Sequence, residues 1–187
     1  MPYSSGAETQ REVLQRLSLR ADRFRGVLDI GAGAGIWRTL SADLPIARVP
    51  WVAVEVYKPY LERFDLHHRY DRVIHRDVRR LKFGPHAGWC VIFGDVLEHL
   101  NRDEAVNLIR RAGSVATVVV MMPFLPSTSA KQGAEEGNPY EAHHYVWRWE
   151  DWLPTFTALV GRVEVVAEPP GIGRNKGALI GWHARHE

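Results

Sequence analysis

The sequence has a single cysteine, Cys90, so no disulfide can form within the chain. This thiol lies in the apolar run "WCVIF", where we expect it to be a small buried hydrophobic side chain. A fold held together by disulfides, as in many small secreted domains, is therefore excluded. The expected location is a reducing cytoplasm.

Long apolar runs are also missing from the sequence. No run approaches the roughly 20 residues needed to cross a bilayer as a helix. The first ten residues, "MPYSSGAETQ", contain neither an apolar core nor an early cluster of positive charge. We therefore expect no signal peptide, no membrane-spanning helix and no membrane partner.

The chain has little excess charge of either sign. Its formal net charge is +2 and its pI is about 8.8, which is too weak a basic balance to indicate nucleic acid by itself. The 187 residues are 45% hydrophobic and 25% charged, without internal repeats or low-complexity tracts. This composition predicts one globular domain over residues 1–187.

Apolar runs and amphipathic segments alternate along the chain. Helical spacing predicts an N-terminal helix over residues 8–24. The predicted strands are short apolar runs: GVLDIG, WVAVEVY, RVIHRDV, WCVIFGDV, SVATVVVMMP, RVEVVAE and ALIGWHA. Helical segments between the early strands predict an α/β fold with a mostly parallel sheet, covered by helices on both faces. The last two strands are joined by a turn, so they are expected to pair antiparallel.

A glycine-rich turn follows the first predicted strand. "LDIGAGAGIW" places Gly31, Gly33 and Gly35 before a helix, where glycine permits positive φ and close approach of a ligand to the backbone. The next strand ends at Glu55, whose carboxylate can accept hydrogen bonds from both hydroxyls of a ribose. The third glycine of the dinucleotide fingerprint is missing, because Ile36 stands in its place. A nucleoside ligand is therefore favoured over a dinucleotide, with a plain tight turn as the structural alternative.

These segments together resemble the class I (Rossmann-like) S-adenosylmethionine-dependent methyltransferases, and among them the branch that acts on small molecules. "LDIGAGAG" is similar to the first motif of that family, and "VAVEVY" to its ribose-binding strand. "HRDV" and "VIFGDVLEHL" are similar to the third and fourth elements, and "VVVMMP" to the fifth strand. The resemblance covers about residues 25–184. It implies a doubly wound, seven-stranded sheet with an antiparallel C-terminal strand.

The resemblance also implies the cofactor S-adenosyl-L-methionine, with S-adenosyl-L-homocysteine as product. In this family's pattern Asp77 faces the adenine amine and Val78 donates a backbone amide to the ring. Asp29 and the carbonyls near Gly94 face the ammonium group. Carboxylates around the site favour a cationic ligand, although Asp77 also fits the simpler role of a turn cap. The implied cofactor-binding residues are Asp29, Gly31, Ala32, Gly33, Gly35, Glu55, Val56, Asp77, Val78, Gly94 and Asp95.

His99 is the candidate catalytic residue, as a general base or as a residue that orients the substrate. It follows the fourth strand, and the carboxyl ends of such strands open onto the ligand crevice. Methyl transfer needs a base only when the acceptor must lose a proton early. The alternative is a polar residue on the turn after the strand.

Residues 125–148 form the longest stretch without periodicity, and we expect them to form a lid on the acceptor side. Tyr140, His143 and His144 are the candidate substrate-binding residues there, together with His99. An aromatic clasp that only packs the loop is the alternative. Adjacent histidines diverge on an extended chain, and no His, Cys or Asp spacing resembles a zinc site, so no metal site is expected.

The expected reaction is in-line transfer of a methyl group to an oxygen or nitrogen atom of a small molecule. "GDVLEHL" stands where methyltransferases of base amino groups carry a D/N-P-P-Y/F/W signature. Nucleic acid is also disfavoured because Asp71 and Asp77 interrupt the basic stretch "HHRYDRVIHRDVRR". The alternatives are an RNA or protein acceptor, a cofactor-binding module without turnover, and an NAD-dependent oxidoreductase. Both a monomer and a homodimer fit the sequence.

Overall fold

The structure, a computed structural model, describes residues 6–123, 138–169 and 176–186. Its strands form a seven-stranded sheet in the order β3-β2-β1-β4-β5-β7-β6. Their bounds are β1 Val27–Ile30, β2 Trp51–Glu55, β3 Arg72–His75, β4 Cys90–Gly94, β5 Thr117–Pro123, β6 Arg162–Ala167 and β7 Lys176–Trp182. The first five strands pair in parallel, and β7 runs antiparallel to β5 and β6. The predicted fold class is confirmed.

Helices lie on both faces of the sheet. Their bounds are α1 Ala7–Ser18, α2 Ile36–Leu40, α3 Lys58–Arg63, α4 Leu66–Arg69, α5 Arg102–Gly113 and α6 Trp149–Val160. Leu28 and Ile30 of β1 face the apolar core under α5 and α6, whereas Val27 faces the core under α1 and α2. Central strands buried on both faces explain the continuous apolar runs in the sequence. Among the described residues, no helix is long and apolar enough to cross a membrane.

Two predicted helices are shorter in the structure. α1 ends at Ser18, and Ala21–Arg23 form a 3₁₀ turn instead of continuing the helix to residue 24. Ala21 and Phe24 remain buried, because residues three apart lie on the same side of a 3₁₀ turn. The segment "PYLERFDLHHR" after β2, which begins at Pro59 and is expected to be one helix, is broken into α3 and α4 at Asp65. The φ of Asp65, +50°, is incompatible with a continuous right-handed helix.

The chain turns sharply where β4 ends. A 3₁₀ turn over Leu97–His99 follows β4, and Asn101 then caps α5. The Asn101 side chain accepts from the backbone of Glu104, and the Glu104 side chain accepts from the backbone of Asn101, a capping box. β2 and β4 flank β1 on opposite sides, so the carboxyl ends of these strands enclose a crevice.

Candidate active site

A cavity of about 680 Å³ lies at the carboxyl ends of β1, β2 and β4. Its volume is within the usual range of small-molecule sites, about 300–1,000 Å³. Most of the residues predicted for the cofactor and the acceptor line it. These are Gly31, Ala32, Gly33, Glu55, Val56, Asp77, Val78, Gly94, Asp95, His99, Tyr140 and His144. The fold therefore brings together residues that are widely separated in sequence.

The glycine turn forms one wall of the cavity. Gly31, Gly33 and Gly35 have φ values of +65°, +49° and +64°, which explains why glycine is needed there. The amide of Gly33 donates to Glu55 Oε2 at 3.0 Å and so ties the turn to the end of β2. Gly35 is the N-cap residue before α2, lies beside Arg69 and is buried behind the wall. It shapes the turn without lining the cavity.

Glu55 is almost wholly buried, with 6% of its surface exposed. Its second carboxylate oxygen, Oε1, accepts from the Tyr57 amide at 2.8 Å. Burial raises the pKa of Glu55 above its usual value, and the amides of Tyr57 and Gly33 partly oppose that rise. Each carboxylate oxygen has a further lone pair, so the side chain can still accept hydrogen bonds from a ribose.

Asp77 is both a turn cap and part of the cavity wall. Its Oδ1 accepts from the Arg79 amide at 2.9 Å, and the Arg79 guanidinium pairs with the same carboxylate. These hydrogen bonds hold the pKa of Asp77 below its usual value, so the carboxylate stays ionised. Val78 follows it and is buried against the cavity.

Asp95, at the end of β4, has a φ of +54° and is held by a lysine that sequence motifs did not indicate. Its Oδ2 accepts from Lys176 Nζ at 2.6 Å. Lys176 reaches this position because β7 pairs antiparallel with β5, where Pro123 is opposite Lys176. No local sequence pattern around Lys176 predicts this pairing between distant strands.

The structure places Asp29 outside the cavity, contrary to its predicted contact with the cofactor ammonium. Alternation along β1 turns its side chain to the face of the sheet opposite to Leu28 and Ile30. Asp29 is completely buried there, and its Oδ2 accepts from the hydroxyl of Tyr70 at 2.6 Å. Burial raises the pKa of Asp29 to about 7, although the Tyr70 hydrogen bond opposes this rise.

The histidines of the acceptor side separate as expected for neighbours on an extended chain. His144 lines the cavity, whereas His143 does not and packs edge-on against the His99 ring, with 5.0 Å between ring centroids. His99 Nδ1 lies 3.3 Å from the carbonyl oxygen of Ala142. Burial, followed by the proximity of His99, lowers the pKa of His143.

The second part of the predicted lid is fixed to the turn after β4. The amides of His144 and Tyr145 both donate to the Glu98 carbonyl, at 2.8 and 3.3 Å. Trp147 is buried against Trp152 of α6, with ring centroids 4.3 Å apart, so it anchors the segment as an aromatic clasp does. Residues 125–137 of the predicted lid lie outside the described residues.

Further residues reach the cavity rim without any sequence signal that singled them out. Glu141 Oε1 accepts from the Tyr60 hydroxyl of α3 and from the Asn138 side-chain amide, each at 3.2 Å. Gln10 of α1 lines the cavity and is buried. The Tyr60–Glu141 hydrogen bond joins the acceptor segment to α3, and Gln10 adds α1 to the cavity wall.

The structure also brings together Glu98, His99 and His143, three residues with metal-binding side chains. A carboxylate oxygen of Glu98 and one ring nitrogen from each histidine all lie within 4.8 Å of one another. Sequence spacing predicts no metal site, because His143 is far from the adjacent pair Glu98–His99 along the chain. The adjacency of Glu98 and His99 was the only local signal.

No protein-family model matches the sequence, and no curated protein is significantly similar to it. Solved structures do match the fold. The N-terminal domain of EvdMO1, crystallised in the presence of S-adenosylhomocysteine (SAH) and D-fucose, aligns with a TM-score of 0.68 and 15% identity, over 97% of this chain and 84% of that chain. An S-adenosylmethionine-dependent methyltransferase from Clostridium acetobutylicum aligns with a TM-score of 0.67 and 8% identity, over 97% and 94% of the two chains.

A further match is DesVI from Streptomyces venezuelae, with a TM-score of 0.65 and 16% identity, over 95% of this chain and 92% of that chain. At these identities the likeness concerns the course of the backbone. It agrees with the strand order and with the antiparallel β7 described above. The chain therefore has the Rossmann-like fold of the class I S-adenosylmethionine-dependent methyltransferases.

Proposed function

We propose that this protein transfers a methyl group from S-adenosyl-L-methionine to an oxygen or nitrogen atom of a small molecule. The proposal rests on one observation, a single cavity whose two sides are lined by different kinds of residues. The glycine turn, Glu55 and Asp77 form one side, and His99 and Tyr140 stand on the other. A cofactor and an acceptor bound there would meet inside one enclosure.

The first side fits the chemical groups of the cofactor. Glu55 offers lone pairs to the ribose hydroxyls, and Asp77 with the Val78 amide suits the adenine ring. Amides of the glycine turn suit the carboxylate. The ionised carboxylates around the cavity favour a cationic sulfonium and disfavour a pyrophosphate. When bound, the cofactor supplies an electrophilic methyl group.

The protein's own contribution is alignment and exclusion of water. In-line displacement is accelerated when acceptor atom, methyl group and sulfur are held in one line. Tyr140 and His144 at the rim are placed to hold the acceptor, and the segment fixed to Glu98 closes that side. A tautomer of His99 with Nδ1–H donating to Ala142 leaves Nε2 free to orient the acceptor or remove its proton.

Two arginines of the basic stretch "HHRYDRVIHRDVRR" make hydrogen bonds within the fold, and this favours a small acceptor over a nucleic acid. Arg69 donates to the carbonyls of Ala34 and Gly35, and Arg79 pairs with Asp77 and Glu104. These two arginines therefore serve the fold and have reduced capacity for phosphates. The EvdMO1 domain, which has a similar fold, was crystallised in the presence of D-fucose, and a small acceptor here agrees with that.

The proposal is tested by methyl transfer from labelled S-adenosylmethionine to cell extract separated into small-molecule, RNA and protein fractions. We expect label in the small-molecule fraction. Label confined to RNA or protein would refute the acceptor class. Binding of S-adenosylhomocysteine without any transfer would instead indicate a cofactor-binding module.

Glu55→Ala gives a matched check of the cofactor side. We expect it to weaken S-adenosylhomocysteine affinity, while Glu62→Ala, at an exposed position on α3, leaves affinity unchanged. Because Glu55 also accepts two backbone amides, the unfolding temperature of each ligand-free variant is measured as a control. Unchanged affinity in a folded Glu55→Ala protein would contradict the ribose role.

A further inference from the structure

The three side chains grouped at the turn after β4 have the composition of a metal site. Glu98, His99 and His143 present a carboxylate oxygen and two imidazole nitrogens within 4.8 Å of one another. Imidazole with carboxylate suits divalent first-row transition ions such as Mn²⁺, Co²⁺ and Zn²⁺, whereas Mg²⁺ and Ca²⁺ prefer sites made of oxygen ligands.

The surroundings of the Glu98 side chain are a second, independent observation that points to a ligand at this position. Its side chain is buried, with 3% of the residue exposed, and Oε2 has no hydrogen-bond partner among the described residues. Asp95 Oδ1, nearby at the end of β4, is also buried and has no hydrogen-bond partner in the part of the chain that the structure describes. A buried carboxylate oxygen without a partner is unfavourable, and a bound cation removes that penalty.

The surrounding backbone holds these ligands in place. The Glu98 carbonyl accepts from the His144 and Tyr145 amides, which fixes His143 beside the Glu98–His99 pair. The Ala142 carbonyl lies 3.3 Å from His99 Nδ1. Metal-binding histidines usually donate their other ring N–H to such a carbonyl, which directs the remaining nitrogen at the ion.

Further carboxyl groups lie around the cluster. Asp95 and Glu141 lie near Glu98, and Lys176 pairs with Asp95. Burial, and then the proximity of Asp95, raises the pKa of Glu98 well above its usual value. A cation bound beside such a carboxyl group favours its ionised form.

We propose that Glu98, His99 and His143 bind a divalent transition-metal ion at the acceptor end of the cavity. His99 lines the cavity, so an ion on its ring nitrogen is within reach of an acceptor molecule. The remaining coordination positions are then available to that acceptor.

The consequence for catalysis rests on the proposed methyltransferase function. A metal ion bound to an acceptor hydroxyl lowers its pKa. The O–H bond breaks with its proton passing to water, the O–CH₃ bond forms and the S–CH₃ bond breaks, leaving S-adenosylhomocysteine. With its ring nitrogen on the ion, His99 orients the acceptor through the metal instead of acting as a base.

The test uses the full chain, purified without a histidine tag and stripped of metal by a chelator. Co²⁺, Mn²⁺, Zn²⁺ and Mg²⁺ are titrated separately by calorimetry, and Co²⁺ binding is followed by its visible absorption. Variants Glu98→Gln and His143→Asn remove one ligand each with little change of volume. His144→Asn is the matched control, because His144 is the adjacent imidazole outside the three-residue group.

We expect one saturable site per chain for Co²⁺, Mn²⁺ or Zn²⁺ and much weaker binding of Mg²⁺. The two ligand variants should lose at least about tenfold in affinity together with the imidazole-type Co²⁺ spectrum, and His144→Asn should retain both. No saturable site, or equal affinity in all three variants, would overturn the proposal. Unfolding temperatures without metal confirm that Glu98→Gln and His143→Asn are folded.

The same metal-free protein is also titrated with S-adenosylhomocysteine. This measurement distinguishes failure of the metal proposal from failure of the proposed function. Cofactor binding without a metal site overturns only the metal proposal. A metal site without cofactor binding overturns the methyltransferase function and leaves the metal site standing.

Discussion

The glycine turn offers a matched pair of substitutions whose different effects follow from the structure. Gly31 and Gly33 both have positive φ, +65° and +49°, so alanine at either position carries a similar backbone penalty. A left-handed alanine is disfavoured by roughly 1–2 kcal/mol, of which about 0.4–1 kcal/mol is offset because alanine restricts the unfolded chain. The shared effect is therefore near 1 kcal/mol.

The surroundings of the added methyl group then distinguish the two positions. At Gly31 a Cβ atom lies 2.5 Å from Val96 Cγ2, so the Val96 side chain or the turn that carries it must shift. Overpacking of this kind adds about 1–3 kcal/mol. At Gly33 the nearest atom is the Gly31 carbonyl oxygen at 3.7 Å, an ordinary contact. The methyl group there projects from the cavity wall instead.

We therefore expect Gly31→Ala to destabilise the protein by roughly 2–4 kcal/mol, which lowers the unfolding temperature by about 4–16 °C for a chain of this size. Gly33→Ala should lower it by only about 2–4 °C while reducing S-adenosylhomocysteine affinity more strongly than its stability loss explains. Thermal unfolding and calorimetry measure the two effects. Equal stability of both variants would refute the steric argument, and wild-type affinity in Gly33→Ala would refute the position of the cofactor.

Further predictions concern the buried acid, the cap of α5 and the acceptor side. The pKa of Asp29 rises from 3.8 to about 7 on folding, so the folded chain keeps this proton to higher pH than the unfolded chain. The free energy of unfolding should therefore fall as pH rises from about 4 to about 7. Asp29→Asn should remove that slope in pH-dependent denaturation, and an unchanged slope would exclude Asp29 as its source. Asn101→Ala breaks the capping box and should lower the free energy of unfolding by about 0.5–2 kcal/mol, measured with urea; no loss would show that the cap is dispensable. Tyr140→Ala should lower kcat/KM for the acceptor at least about tenfold, or ~1.4 kcal/mol, and spare cofactor affinity. Equal loss of both would favour a packing role for Tyr140.

The order of the elements could be predicted because local pattern and burial agree in this fold. Runs such as that of β4 are apolar throughout because both faces of the sheet are covered. The positions of the glycines before α2 and of Glu55 at the end of β2 could also be predicted from short segments of sequence. Positive φ and the end of a strand both depend mainly on neighbouring residues. That these residues line one cavity could therefore largely be predicted.

Other features depend on contacts between distant segments. Asp29 belongs to the same motif as Gly31, yet strand alternation turns its side chain away from the cavity towards Tyr70. Lys176 reaches Asp95 only through the pairing of β7 with β5. His143 joins Glu98 through backbone hydrogen bonds of the next two residues. The spacing of these residues along the sequence does not predict their contacts.

The proposed function requires that the cavity binds the methyltransferase cofactor. Calorimetric titration of the protein with S-adenosylhomocysteine and, separately, with NAD tests it most directly. We expect one saturable site for S-adenosylhomocysteine, weakened by Glu55→Ala, and no binding of NAD. Binding of NAD without S-adenosylhomocysteine would contradict it and indicate an oxidoreductase on the same fold.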